Sequence, residues 1–270
     1  MPSRLVERTR LSGSSAVRVL LVLWQNPVSR AIVPVGRFSV EGDEYRFAYV
    51  KNAADSGMRP LLGFPSFDEQ YRSHRLPLLF AQRVLDPARP DLARIIAELG
   101  LARDATPWEQ IVRTGGSRHG DTIQVMELPS VIGGTARARF FINGIRHIPG
   151  RPRVCEGSQF LCSKEEQDHA LARVAVDSTL VLLREDDNPE DPDALLVVFE
   201  GVPLGYVPRF LSSDVRRLVR LAPGQLAVRC VEAGGPHVPA HMRLVVELEC
   251  RAPAHFSFDP EGAWRPTAAP

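Results

Sequence analysis

The sequence predicts an α+β protein in two parts, a mixed α+β module over residues 17–128 and a strand-rich domain over 137–251. Three observations carry this expectation. Near the start, Tyr45, Phe47 and Tyr49 alternate with Arg46 and Ala48, the period-2 pattern of a half-buried strand. Between residues 74 and 116 the punctuation changes to that of helices, with Pro90 before and Gly100 after one apolar run and Thr106-Pro107-Trp108-Glu109 opening another. Beyond Gly133-Gly134, short apolar runs recur between Gly, Pro, Asn and Asp clusters, as strands joined by turns do.

The first module reads in order. Residues 1–16 are rich in Arg, Ser and Gly without periodicity and are expected to be disordered. Residues 17–24 form an apolar strand. Residues 32–38 and 44–50 pair as a hairpin about Glu41-Gly42-Asp43. Pro60 to Pro65 marks a loop. A helix is expected over 74–85, carrying Leu76, Leu78, Leu79, Phe80 and Val84, and a second over 91–99. A third starts at the Thr106 capping box and stops at Gly115-Gly116, before a strand over 121–128.

Residues 129–136, with Gly133-Gly134, read as a linker. A strand from 137 leads into a long arm over 149–177. Strands follow at 179–184, 194–200 and 202–207, the last two turning at Gly201. Ser212 or Ser213 is positioned to cap a helix ending before Pro223-Gly224, and strands at 225–231 and 242–250 close the set. Residues 252–270, with Pro253, Pro260, Pro266 and Pro270, read as a loose tail.

Composition excludes several classes. No apolar run nears the roughly 18–20 residues a membrane helix needs, so no membrane partner is expected. The first residues lack an apolar core with a cleavage site, and four cysteines in 270 residues are too few for a disulfide framework. Both point to a reducing cytoplasm. Of 33 basic residues only Lys51 and Lys164 are lysine, a bias that GC-rich bacterial codon usage explains, as it does the 23 prolines. Neither lysine follows a glycine-rich turn, so a phosphate-binding NTPase loop is absent. No nucleophile elbow or paired acid and base stands out, so no catalytic residue and no cofactor are assigned.

One segment is more specific. Asn188-Pro189, Asp191 and Ala194 precede an apolar strand, a tight Gly201 turn and then Gly205-Tyr206-Val207-Pro208. With Gly144-Ile145-Arg146-His147 upstream, this resembles the HIRAN domain, over about residues 137–251. The resemblance implies a small OB-like β-barrel that grips a DNA strand or strand end, by aromatic stacking and polar contacts, in a setting such as DNA repair. It implies a nucleic-acid site at Arg146, His147, Asn188, Asp191 and Tyr206. His147 and Ile148 stand where the family has two aromatics, and Glu190 adds a carboxylate to the turn. Residues 17–128 more weakly resemble the N-terminal subdomain of HipA-type toxin kinases, through Pro34-Val35-Gly36-Arg37-Phe38, Pro77-Leu78-Leu79-Phe80 and Pro107-Trp108-Glu109-Gln110-Ile111. That resemblance implies a structural module that contacts a partner protein and carries no phosphotransfer residues.

Arg137, Arg139, Arg146, Arg151 and Arg153 fall in a stretch with no acidic residue before Glu156, and on an exposed strand and loop they would attract phosphate. Residues 137–251 nonetheless hold 15 basic and 16 acidic residues, too balanced for a nonspecific coat on duplex DNA. Cys155, Cys162, His237 and His241 are the zinc ligands the chain could offer, but six residues separate the cysteines and Pro239 lies between the histidines, so no metal is assigned. The acidic run at 186–193 lacks the calcium-loop pattern and reads as a turn closed by Asx hydrogen bonds. The function expected is therefore a non-catalytic nucleic-acid-binding accessory protein. The alternatives are a protein-interaction module of toxin–antitoxin or defence type, and a hydrolase of acid anhydrides by family analogy.

Overall fold

The alternation of the first fifty residues becomes an antiparallel meander. The computed structural model describes residues 18–268 apart from 117, 119, 236, 237 and 239–242. The expected disordered arm at 1–16 lies outside the described residues. β1 (Arg18–Gln25) pairs with β2 (Ile32–Glu41), β2 with β3 (Glu44–Tyr49) and β3 with β4 (Gln70–Ser73), while β5 (Ile123–Glu127) returns to the other edge of β1. Because side chains alternate across a strand, Leu20 and Val22 face one core and Leu21 and Leu23 another. Burial on both faces explains why β1 is apolar throughout instead of alternating.

Short helices α1 (Asn52–Asp55), α2 (Leu78–Ala81) and α4 (Pro107–Thr114) pack on the first face, with α3 (Leu92–Glu98) between α2 and α4 in the chain. The α4 capping box forms as expected. Thr106 Oγ1 accepts from the Glu109 N–H at 3.2 Å, Glu109 Oε2 accepts from the Thr106 N–H at 2.7 Å, and Gly115 ends the helix at φ 62°. The helix expected over 74–85 shrinks to the single turn of α2. Pro77 sits extended at its N-cap, ψ 144°, and a residue preceding proline is pushed out of the helical region, so 70–73 pair as β4 instead.

In the second half, β6 (Ser130–Ile132), β7 (Thr135–Phe141), β13 (Ala227–Ala233) and β14 (Leu244–Arg251) make a sheet in the order β13-β14-β7-β6. A second sheet joins β10 (Val181–Arg184), β11 (Leu195–Phe199) and β12 (Val202–Tyr206), and β8 (Arg153–Cys155) pairs with β9 (Ser158–Phe160). Two helices, α5 (Lys164–Arg173) and α6 (Arg209–Leu221), share a hydrophobic core with both sheets. The fold is thus α+β with antiparallel sheets, but among the described residues no hydrogen-bonded barrel closes. Single bridges, Asn143 with Tyr206 and Thr179 with Arg229, join the two larger sheets where a barrel would need ladders.

Four local expectations are corrected. Residues 129–136 are not a linker: they hold β6 and its turn into β7, with Gly133 and Gly134 at φ 58° and 76°. The arm at 149–177 folds into the β8–β9 hairpin and α5, whose capping box joins Ser163 and Glu166. Helix α6 starts earlier than a Ser212 or Ser213 cap would place it, at Arg209 behind Pro208, and Ser212 is buried within it. The tail is not loose. Phe256, Phe258 and Trp264 are buried in the second core, Arg37 Nε donates to the Trp264 carbonyl at 2.7 Å, and the Thr267 N–H donates to the Tyr49 carbonyl at 2.9 Å. Leu21, Leu23 and Met126 belong to that same core, so the halves are packed together. Among the described residues, no helix is long and apolar enough to cross a membrane.

Candidate nucleic-acid interface

The site begins where β7 leaves its sheet and meets the end of β12. The Asn143 N–H donates to the Tyr206 carbonyl at 2.9 Å, and the Tyr206 N–H to the Asn143 carbonyl at 2.8 Å. This approach requires glycine at 205, since a Cβ there would lie 2.6 Å from the Asn143 carbonyl oxygen. Gly144 then turns at φ 68°, with the Tyr206 ring against it. The motif glycines are explained by backbone contact.

A single 3-10 turn, Ile145–His147, follows. Ile145 and Ile148 are buried, while Arg146 and His147 between them are exposed. The turn is held from behind by Gln167 of α5, which is buried and donates to the Ile145 carbonyl at 2.9 Å and the Leu204 carbonyl at 3.1 Å. Gln167 escaped sequence reading, although the Ser163-to-Glu166 capping signal was there to place its helix.

Beneath the turn lies Arg153. Its Nε donates to the Tyr206 hydroxyl at 2.7 Å, its Nη1 to the carbonyls of Ile148 and Arg151 at 2.7 Å each, and its Nη2 to the His147 carbonyl. The guanidinium also faces Glu185 at 3.6 Å. Glu185 Oε2 accepts from Asn188 Nδ2 at 2.7 Å, and Asn188 Oδ1 accepts from the N–H groups of Glu190 and Asp191 at 2.9 and 3.0 Å. Asp191 then accepts from the Asp193 N–H at 2.9 Å and the Ser212 hydroxyl at 2.8 Å. One polar network therefore runs from the 3-10 turn, through Arg153 and Glu185, to the Asn188 turn and α6. Burial pushes the Tyr206 hydroxyl up to about 12, with Arg153 pulling the other way. It stays a neutral acceptor for Arg153.

The residues expected at the site thus divide into two groups. Arg146, His147 and Arg151 are exposed, and none of their side chains meets an ion-pair or hydrogen-bond partner among the described residues. Asn188, Asp191, Tyr206 and Arg153 are engaged inside the protein. The continuous basic patch is corrected accordingly. Arg137 pairs with Glu249 at 2.6 Å, Arg139 lies between Glu127 at 3.2 Å and Glu247 at 3.5 Å, and Arg153 is buried. Alternation along β7 aims Arg137 and Arg139 at the acids of neighbouring strands, which a linear count of charges does not register.

Cys155 and Cys162 share a small apolar cluster with Ile148, Leu196 and Val198. Burial pushes the Cys155 thiol up to about 11 and raises Cys162, which disfavours the thiolates zinc requires. His237 and His241 lie outside the described residues. Among the described residues, no three His, Cys, Asp or Glu side chains converge on a common point.

Residues 138–249 match the HIRAN domain family, so the chain carries a HIRAN domain over that stretch. Two solved structures are similar to it. One is a protein from Lactobacillus plantarum, 19% identical, with 43% of this chain and 97% of that chain covered and a TM-score of 0.30. The other is the HIRAN domain of human HLTF, 17% identical, with 43% of this chain and 77% of that one covered and a TM-score of 0.27. No curated protein matches the chain.

Proposed function

We propose that the HIRAN domain binds DNA, as a single strand or strand end, on the face presented by Arg146 and His147. HIRAN domains are generally DNA-binding modules. The observation that carries the reading is the 3-10 turn. The Arg146 guanidinium and the His147 imidazole stand in solvent without partners among the described residues, on a backbone pinned by Arg153, Gln167 and the Asn143–Tyr206 bridge. A fixed turn holding free donors loses little conformational freedom when a phosphate arrives. Arg151 extends the donor set, while Asn188, Asp191 and Tyr206 act by shaping the turn and the ground beneath it. The near balance of charge in the domain suits a few local phosphate contacts better than a coat on duplex.

In this reading the HIRAN part is an OB-like binding module, and the N-terminal half is a HipA-like scaffold in a bacterial cytoplasm that offers a surface to a partner protein. Fluorescence anisotropy with single strands, duplexes and 3′-ended overhangs, across a salt series, tests it. Arg146→Ala should weaken binding to every sequence and lower the single-strand salt slope by about 0.7. If wild-type protein binds none of the three at micromolar concentration and low salt, DNA binding is refuted and the protein-interaction reading replaces it.

A further inference from the structure

One basic face of the domain has no part in that interface. Helix α6 carries Arg209, Ser213, Arg216 and Arg220, spaced so that all four fall on one side of a helix. Its other side is core, with Leu211, Val215 and Leu218 buried. Alongside the basic face lies a cleft of about 690 Å³, lined by Arg184, Arg216, Arg217 and Arg220 against two carboxylates, Glu156 and Asp193.

These arginines are not equally available. Arg217 is committed to Asp214 at 2.9 Å and to the Ser257 carbonyl, and stacks over Phe256. Arg184 is paired with Asp186 at 2.6 Å. Arg216 meets Asp193 at 3.1 Å and the Pro192 carbonyl, both through Nη1, which leaves the rest of its fork for a ligand. Arg220 is exposed and has no partner among the described residues. Such guanidinium groups gain most from an anion that accepts hydrogen bonds, and the fork fits phosphate as well as carboxylate.

Position selects the form of the phosphate. Arg209 follows Tyr206-Val207-Pro208 directly, so the face starts at the interface described above and leads away from it for about 16 Å, at 1.5 Å per residue. A row of separated, solvent-facing cations beside an open cleft suits a repeating polyanion, whereas a single phosphate would want its donors converging on one point.

We propose that α6 is a phosphate track: a nucleic-acid strand held at Arg146 continues along the helix, its backbone meeting Arg216 and Arg220. The track rests on the DNA-binding reading and adds to it a length requirement and a direction. It positions the strand without reading bases, because arginines spaced along a helix reach the backbone and no aromatic side chain lines the cleft.

The test uses the full chain and oligodeoxynucleotides from about 4 to about 16 nucleotides, the range of single-strand site sizes. Wild-type affinity and salt slope should rise with length. Arg216→Ala with Arg220→Ala should lower affinity for the longest strand roughly tenfold at low salt and its slope by about 1.4, leaving the shortest strand unaffected. Arg220→Glu alone should already weaken the long strand, which keeps the test decisive if losing the Arg216–Pro192 contact unsettles the fold. Long-strand binding that is unchanged in these variants, or weakened equally at every length, overturns the track while DNA binding stands. Absence of wild-type binding at any length overturns both.

Discussion

Arg153→Met removes the centre of the polar network while keeping an aliphatic side chain in its place. Arg153 is 7% exposed and donates to the Tyr206 hydroxyl and to the carbonyls of His147, Ile148 and Arg151. Methionine supplies no donor, so four acceptors lose a partner at a site nearly closed to water. Glu185, 8% exposed, also loses its countercharge and keeps only neutral side-chain partners, the Asn188 amide and the Tyr206 hydroxyl. A stranded buried acceptor costs about 1–3 kcal/mol, and breaking a buried ion pair from one side costs about 3–5 kcal/mol. These overlap because they share one side chain and do not add. The expected loss is therefore about 3–5 kcal/mol, a fall in Tm of roughly 6–20 °C for a chain of this size.

Urea unfolding followed by tryptophan fluorescence measures that loss. A second substitution identifies its source. Glu185→Gln should destabilise the wild type, which loses the charge partner of Arg153, yet partly rescue Arg153→Met, where the carboxylate has become an unpaired buried charge. A loss below about 1 kcal/mol for Arg153→Met, or an equal effect of Glu185→Gln in both backgrounds, would refute the reasoning.

Two further outcomes follow from burial. Trp264 is 5% exposed and packs edge-on against Phe210, so Trp264→Ala should cost about 3–5 kcal/mol in the same assay; a cost within about 0.5 kcal/mol would mean that the segment after β14 is not part of the core. Tyr49 and Tyr206 are pushed up to about 12 by burial, while an unfolded tyrosine ionises near 10. Between those values the unfolded chain has released protons that the native chain retains, so stability should fall as pH rises from about 10 to 12, and tyrosinate absorbance from these two should accompany loss of the circular dichroism signal. Cys155 and Cys230, both pushed to about 11, act in the same direction from lower pH. Ionisation of all four tyrosines near pH 10 with the fold intact would contradict this burial.

What the sequence determined by itself lies within a few residues or within a recognisable pattern. The Thr106 capping box, the turn at Glu41-Gly42-Asp43, the hairpin at Gly201 and the Asx bonds of the Asn188 turn are local interactions between near neighbours, and all formed as expected. The HIRAN pattern was legible because Gly144 and Gly205 answer steric demands that no other residue meets as well. Helix α5 went unread within the expected arm at 149–177: Ser163 and Glu166 carry its capping box, but the segment has little apolar periodicity to draw attention to it.

Tertiary structure decided which of the charged residues are available. Arg146 and Arg153 look alike in a linear stretch of arginines, yet one stands in solvent and the other is closed in by Glu185, Tyr206 and three carbonyls. Arg137 and Arg139 are neutralised by strands more than a hundred residues away in the chain. The tail was misjudged for the same reason: Phe256, Phe258 and Trp264 lie in no helix or strand, and their burial depends on a surface built by both halves. Hydrogen bonds between neighbours are written in local order, whereas desolvation and charge pairing depend on what the completed fold brings alongside each side chain.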